Sequence, residues 1–309
     1  MDNLCHTLVG AAFGQAGLKR RTRFGNATLM IAANIPDVDV LVFATSTPAV
    51  AFRRGWTHGV LAQALLPIAL TAIMLVIARY RVGARRRADG DDPPAHAGWL
   101  LLLAYIGVIS HVLLDLLNTY GVRLLTPLDW RWFYGDAVFI LDPWLWLTLG
   151  LGVWLSSRRT VRAPAPARTA LVVATLYIAA MCVTARVASG RVLDEWNVAH
   201  PQPPRALMVG PIPVNAFRRQ IIVDAGDHYE TGTFAFPARV VLDPEVIPKN
   251  DRDPRVTLAR EAPRIQAFLV WSRFPFWTLE PAPGGTRVTV GDARFGGRGA
   301  GFQQSVVVP

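Results

Sequence analysis

Residues 110–121 read SHVLLDLLNTYG, and the rest of the chain is read outward from them. They close an apolar run from Trp99 to Leu117, yet carry His111 and Asp115. Residues four apart on an α-helix share a face, so this imidazole and carboxylate project side by side. An Asp at the centre of a spanning helix costs about 2.5–3.5 kcal/mol on insertion scales, and such residues face a bundle interior or a watery cavity. The pair therefore reads as part of a metal site inside a membrane-embedded helical bundle.

Composition agrees with a membrane protein that carries a soluble appendage. The 309 residues are 52% hydrophobic and 17% charged, with a mean hydropathy of +0.29, too apolar for an ordinary soluble protein. The net charge of +10 calls for an anionic partner. Much of the Lys and Arg sits in short clusters between apolar runs, where it orients helices, so the expected partners are membrane lipids, with no nucleic acid. Cys5 and Cys182 cannot build a disulfide framework or a zinc ribbon. The first eighteen residues do not read as a cleaved signal, because their positive cluster follows the apolar run.

On the N-terminal side, Leu4 to Gly17 is short for a full span and suits a re-entrant or interfacial helix holding His6. The apolar run from Ala27 to Ala44 is broken by NIPDVD at residues 34–39. Pro36 biases Ile35 away from helix, which puts Asp37 and Asp39 on irregular backbone. At membrane depth such backbone survives only where it is buried in protein or lines a wet cavity. Four spans are expected: Val60 to Ala78, Trp99 to Leu117, Val138 to Leu155 and Ala170 to Val187. The cluster at 19–23 and the connections at 79–95 and 156–168 hold thirteen Lys or Arg, against four (Arg53, Arg54, Arg123, Arg131) in the connections assigned outside. The positive-inside rule makes the first group cytoplasmic.

From residue 191 the pattern changes. ALMVGPIPV, RQIIVDA, TGTFAFPARVVL, TRVTVGDARF and QQSVVVP read as strands, and Glu261 to Phe274 as a single helix. The expected architecture is an α-helical polytopic membrane protein, with about four full spans plus re-entrant or broken N-terminal helices over residues 1–190. A C-terminal β-rich domain over 191–309 follows outside the cytoplasm, periplasmic in a double-membraned bacterium. The expected location is the inner membrane.

At 1.5 Å per residue, His111 and Asp115 lie about 18 and 24 Å along their helix from Trp99, in the outer half of the bilayer. His6, Asp37, Asp39, His58 and Asp142 are expected at similar depth, and with His111 and Asp115 they form the candidate metal ligands. Mixed imidazole and carboxylate donors suit zinc, or else manganese or iron. Simpler readings exist. Asp142 precedes Pro143, as at an ordinary helix start. Arg53, Arg54 and Arg123 suit lipid headgroups or a substrate phosphate, and Tyr120, Trp130, Trp132, Phe133, Tyr134, Trp144 and Trp146 an interfacial aromatic belt. His96, His200 and His228 are set aside for want of suitable neighbours.

His6, NIPDVD, RRGWTHG at 53–59, SHVLLDLLNTYG and FYGDAVFILDP at 133–143 together resemble a family of inner-membrane-associated, metal-dependent hydrolases whose best-known bacterial member is regulated by the SOS repressor. The resemblance covers about residues 1–160. That family is distantly similar to the all-helical zinc-dependent phospholipases C and single-strand nucleases. The resemblance implies an HxxxD element at His111 and Asp115, an upstream Asp at Asp37 or Asp39, and further ligands at His6 and His58. A second, downstream HxxxE element is absent, and only Asp136 and Asp142 follow, which favours one or two ions over three.

The function expected is a membrane-bound hydrolase with zinc, acting near the outer leaflet on phosphoesters of lipid-linked or envelope substrates. Whichever of Asp37 and Asp39 is not a ligand is the expected general base. The alternatives are an ion- or proton-coupled transporter using the same residues, and a non-enzymatic envelope protein with a structural metal.

Overall fold

The computed structural model describes residues 1–45, 49–85, 94–158, 163–296 and 302–309. They divide into two compact units, Met1–Leu41 with Arg53–Met181, and Val42–Phe52 with Cys182–Pro309.

The first unit is helical. Its elements are α1 (Asn3–Gln15), α2 (Gly25–Ala32), a 3₁₀ helix (Ile35–Ala44), α4 (Val60–Arg85), α5 (Ala97–Leu116), α6 (Pro143–Arg158) and the first half of α7 (Ala165–Ala199); the short α3 (Ala49–Phe52) belongs to the second unit. Asp2 caps α1 by accepting from Leu4 N and Cys5 N, its other oxygen taking the Trp146 indole N–H of α6. Glycines let α2 lie tightly between α1 and α5. A Cβ on Gly10 would come within 2.8 Å of the Leu29 carbonyl oxygen, and one on Gly107 within 2.4 Å of the Ala32 side chain. Where lipid gives helices no hydrophobic reason to associate, such close approach supplies the packing. Ala32, Leu70, Met74, Leu100, Ala104 and Val108 form a core shared by α2, α4 and α5. The outer faces stay apolar, with Leu65, Ile68 and Ile73 on α4, Leu113 on α5 and Leu147 and Leu151 on α6 all exposed, as a lipid-facing surface requires.

Among the described residues three helices are long and apolar enough to cross a membrane: Val60–Tyr80, Ala97–Leu116 and Ala165–Ala199. The pair Gly25–Ala32 and Ile35–Ala44, bent by 50°, makes a fourth if it counts as one broken span. The span expected at Val138 to Leu155 is shortened. Asp142 Oδ1 accepts from Trp144 N and Leu145 N at 3.0 and 3.1 Å, so α6 starts at Pro143 and has 16 residues. The helix expected to end at Val187 runs on to Ala199. NIPDVD breaks the helix as expected but forms a 3₁₀ helix, not irregular backbone. Parts of the Arg-rich connections at 79–95 and 156–168 lie outside the described residues.

The second unit holds an antiparallel sheet in the order β1 (Ala206–Pro211), β2 (Arg218–Asp224), β3 (His228–Ala235) and β4 (Arg239–Pro248), and another of β5 (Pro275–Ala282), β6 (Gly285–Asp292) and β7 (Gln303–Val308). One face of the first sheet packs Val209, Ile221, Val223 and Phe234 onto Ala188, Val192 and Trp196 of α7. Its other face packs Met208, Ile222 and Tyr229 onto Phe274, Phe276 and Ala293. TGTFAFPARVVL, read as one strand, is a hairpin in which β3 and β4 pair. The helix expected over Glu261 to Phe274 is α9 (Pro263–Trp271), preceded by α8 (Pro254–Ala259).

Candidate metal centre

Four segments meet in the helical unit. The 3₁₀ helix carries Asp37 and Asp39, the turn before α4 carries Arg53, Arg54, Thr57 and His58, and the last two turns of α5 carry His111 and Asp115. The opening helix α1 adds His6. One donor atom from each of Asp37, His58, His111 and Asp115 lies within 4.8 Å of all the others. His58 Nε2 stands 3.1 Å from His111 Nε2 and 3.3 Å from Asp115 Oδ2. His111 Nε2 is 3.6 Å from Asp115 Oδ2, and Asp37 Oδ1 is 3.9 and 4.0 Å from the two Nε2 atoms. Tetrahedral donors on bonds of about 2.0–2.1 Å are about 3.3 Å apart, so these separations match one shared cation. None of the four residues is more than 5% exposed.

The hydrogen bonds behind the ligands set their chemistry. His111 Nδ1 lies 2.7 Å from the Ala33 carbonyl oxygen. A carbonyl only accepts, so Nδ1 carries the proton and Nε2 presents a lone pair. Thr57 Oγ1 donates to Asp39 Oδ2 at 3.1 Å and lies 2.9 Å from His58 Nδ1. With its one proton given to a carboxylate, the hydroxyl accepts from His58 Nδ1, leaving His58 Nε2 also as a lone pair. With both imidazoles neutral, two Nε2 lone pairs face each other at 3.1 Å, and the buried Asp115 Oδ2 beside them has the Arg54 guanidinium as its counter-charge, with Nε 3.0 Å away. Arg54 answers the carboxylate charge, but the two facing nitrogens repel unless a proton or a metal ion sits between them. The donor set therefore fits a metal ion.

Asp115 is also the hub of a charge network. Arg54 Nε lies 3.0 Å from Oδ2, and Nη2 donates to Oδ1 at 3.1 Å. The Met1 amino group donates to the same Oδ1. Arg54 Nη1 donates to Asn118 Oδ1 at 3.0 Å, and its backbone N–H to Asp39 Oδ2 at 2.7 Å. Arg54 adopts φ +54°, in the left-handed region. Asn118 Oδ1 also takes Tyr120 N and Gly121 N, which turns the chain after α5 and explains NTYG. Arg53 reaches Asp39 Oδ1 at 3.3 Å and Asp37 Oδ1 at 3.5 Å. Nearby, the Arg123 guanidinium lies over the Trp130 and Trp132 rings at 5.5 and 4.8 Å, and burial holds its pKa below the usual guanidinium value.

Of the seven candidate ligands, the structure groups Asp37, His58, His111 and Asp115. His6 stacks on His111 with ring centroids 3.8 Å apart, its Nε2 3.3 Å from Asp115 Oδ1, and neither of its nitrogens makes a hydrogen bond of good geometry. Asp39 backs His58 and binds Arg53 and Arg54. Asp142 stands apart from the cluster: one oxygen caps α6 and the other takes the Tyr177 hydroxyl at 2.9 Å. The partners missed from sequence are Thr57, Asn118, the Ala33 carbonyl and the pairing of Arg54 with Asp115. Only Thr57, adjacent to His58, carried a local signal. His200 and His228, set aside from sequence, both lie near Glu230 Oε1, at 3.8 and 3.7 Å.

A family model described as YdjM inner membrane protein matches residues 1–188. The chain belongs to the YdjM inner membrane protein family. The match takes in every residue of the centre and, with the apolar helices, places the chain in the inner membrane. The strands of the second unit lie beyond it. No curated protein and no solved structure matches the chain.

Proposed function

We propose that this YdjM-family chain is a metal-dependent hydrolase that cleaves a phosphoester of a lipid or envelope substrate near the outer leaflet. The observation that supports it is the placement of His58 Nε2 and His111 Nε2 3.1 Å apart beside Asp115 Oδ2. Nitrogen mixed with carboxylate oxygen favours zinc. A zinc ion held there would lower the pKa of a bound water to about 7 and so supply a nucleophile at neutral pH. A second ion would draw on His6, whose ring nitrogens have no hydrogen-bond partner.

The side chains divide the remaining work. Asp37 is the most weakly held of the four, with its oxygen farthest from both imidazoles and its side chain against the 25%-exposed Arg53. It is the carboxylate that can release an oxygen to water and take its proton. Asp39 has both oxygens engaged by Arg53, Arg54 and Thr57, so it orients His58. The charge pattern of the connections favours a β-rich domain outside the cytoplasm, where it would meet envelope substrates.

A structural metal is the second reading, favoured by four protein donors closing one site, since catalytic sites keep a position open. Elemental analysis of purified protein with His111→Ala and Asp115→Ala tests the first step. About one zinc or more per chain, lost in both variants, is expected, and metal-free wild-type protein would overturn both readings. Chelation that abolishes phosphodiester hydrolysis while leaving the melting temperature within a few degrees supports the hydrolase, and collapse of the fold supports the structural metal.

A further inference from the structure

Three arginines surround the centre, and two are spent. Arg53 pairs with Asp37 and Asp39, and Arg54 with Asp115. Arg123 is 7% exposed and has no carboxylate oxygen within 4.0 Å among the described residues. Its Nε has no hydrogen-bond partner. Aromatic faces stabilise a guanidinium but leave its in-plane N–H groups unsatisfied.

Within residues 118–126 two further buried polar atoms lack hydrogen-bond partners: Thr126 Oγ1, in a residue 1% exposed, and Asn118 Nδ2, in a residue 0% exposed. A guanidinium and an amide nitrogen only donate, and a hydroxyl can donate, so what these three groups lack is an acceptor. Leaving such groups bare costs free energy in any folded state. The segment is held in register with the centre. Arg123 N donates to the Arg54 carbonyl at 2.9 Å, and Thr126 N to the Arg123 carbonyl at 3.3 Å. Gly59, next to His58, packs so closely there that a Cβ would come within 2.2 Å of the Thr126 carbonyl oxygen.

We infer that Arg123 and Thr126 form an anion subsite beside the metal centre that binds a phosphate group, lipid-borne or free, through the Arg123 guanidinium and the Thr126 hydroxyl. Planar N–H pairs suit phosphate oxygens in bidentate fashion, and a phosphate brings the acceptors this segment lacks. The inference rests on the phosphoester reading for its catalytic purpose, though the binding can be measured without turnover.

The test uses the full chain purified in a neutral detergent, with Arg123→Gln, Arg123→Lys and Thr126→Val. Native mass spectrometry titrates phosphatidylglycerol against phosphatidylcholine in one arm, and inorganic phosphate in the other, with zinc content measured on the same samples. Arg123→Gln is expected to weaken anion binding about ten- to a hundredfold, and Thr126→Val about two- to tenfold, with zinc content unchanged. Arg123→Lys keeps the charge, guards against a folding defect and falls between wild type and Arg123→Gln. Loss confined to the phosphatidylglycerol arm identifies a lipid phosphate, and loss in both arms a small phosphate. Wild-type affinity for both probes in Arg123→Gln and Thr126→Val overturns the subsite. Zinc-free protein with Arg123-dependent anion binding overturns the hydrolase reading and leaves the subsite standing.

Discussion

His58 Nε2 and His111 Nε2 stand 3.1 Å apart, each turned toward the other by a hydrogen bond on its far nitrogen. The two far bonds differ in kind. His111 is set by a backbone carbonyl that no substitution of Ala33 removes, whereas His58 is set by the Thr57 hydroxyl.

Thr57→Val therefore isolates the contribution of orientation. It keeps shape and all four donors but frees the His58 tautomer, and loss of such an outer partner weakens metal binding about 10–100-fold. Competition with a zinc chelator measures this. Unchanged affinity would mean that Thr57 does not hold the ring.

Arg54→Leu leaves Asp115 buried without its guanidinium partner. Breaking a buried ion pair from one side costs about 3–5 kcal/mol. Thermal unfolding in detergent should show a larger loss in chelator-treated than in zinc-loaded protein, because the ion supplies part of the missing positive charge.

Asp142→Ala separates capping from ligation. Loss of the α6 cap should cost about 0.5–2 kcal/mol, read as a lower melting temperature with zinc content unchanged. A drop in zinc would place Asp142 among the ligands after all.

In the second unit Asp292 is 1% exposed. Burial by itself would raise its pKa, but Arg294, the Ser272 hydroxyl and the Arg294 backbone N–H together hold it below the usual carboxylate value. A carboxylate depressed in the folded state contributes stability that is present above the unfolded pKa of about 3.9, and it is lost as pH falls through the folded value. Unfolding of the sheets followed by circular dichroism should show little dependence on this group above about pH 5 and a falling melting temperature below about pH 4. Asp292→Asn should lower stability at neutral pH and flatten that acid limb.

How much was legible in the sequence depended on whether the cause was local. His111 and Asp115 share a helical face by spacing alone, and Pro36 announces the break that carries Asp37 and Asp39. The pairing of Arg54 with Asp115 links positions 61 apart and leaves no pattern, so Arg54 read as a headgroup contact. Val138 to Leu155 looked like a span because hydropathy ignores hydrogen bonding, and the Asp142 cap starts the helix five residues later. Helix α7 outran its apolar run because Arg191, Asp194 and Glu195 are exposed while Val192 and Trp196 pack on the sheet. Strand β5 was missed because Pro275 and Pro281 masked the alternation of FWTLE, although β5 pairs with β6 along its length.

Arg54 carries a consequence for how the chain matures. Its backbone N–H is held by Asp39, its carbonyl by Arg123, and its guanidinium by Asp115 and Asn118. A left-handed φ at a non-glycine costs about 1–2 kcal/mol, so the residue settles there only once those partners are in place. They arrive from distant parts of the chain, and each loop must close before any contact repays it. Partly folded chains lack the centre, so under the proposed metal reading the ion bound by a preparation would count its finished molecules.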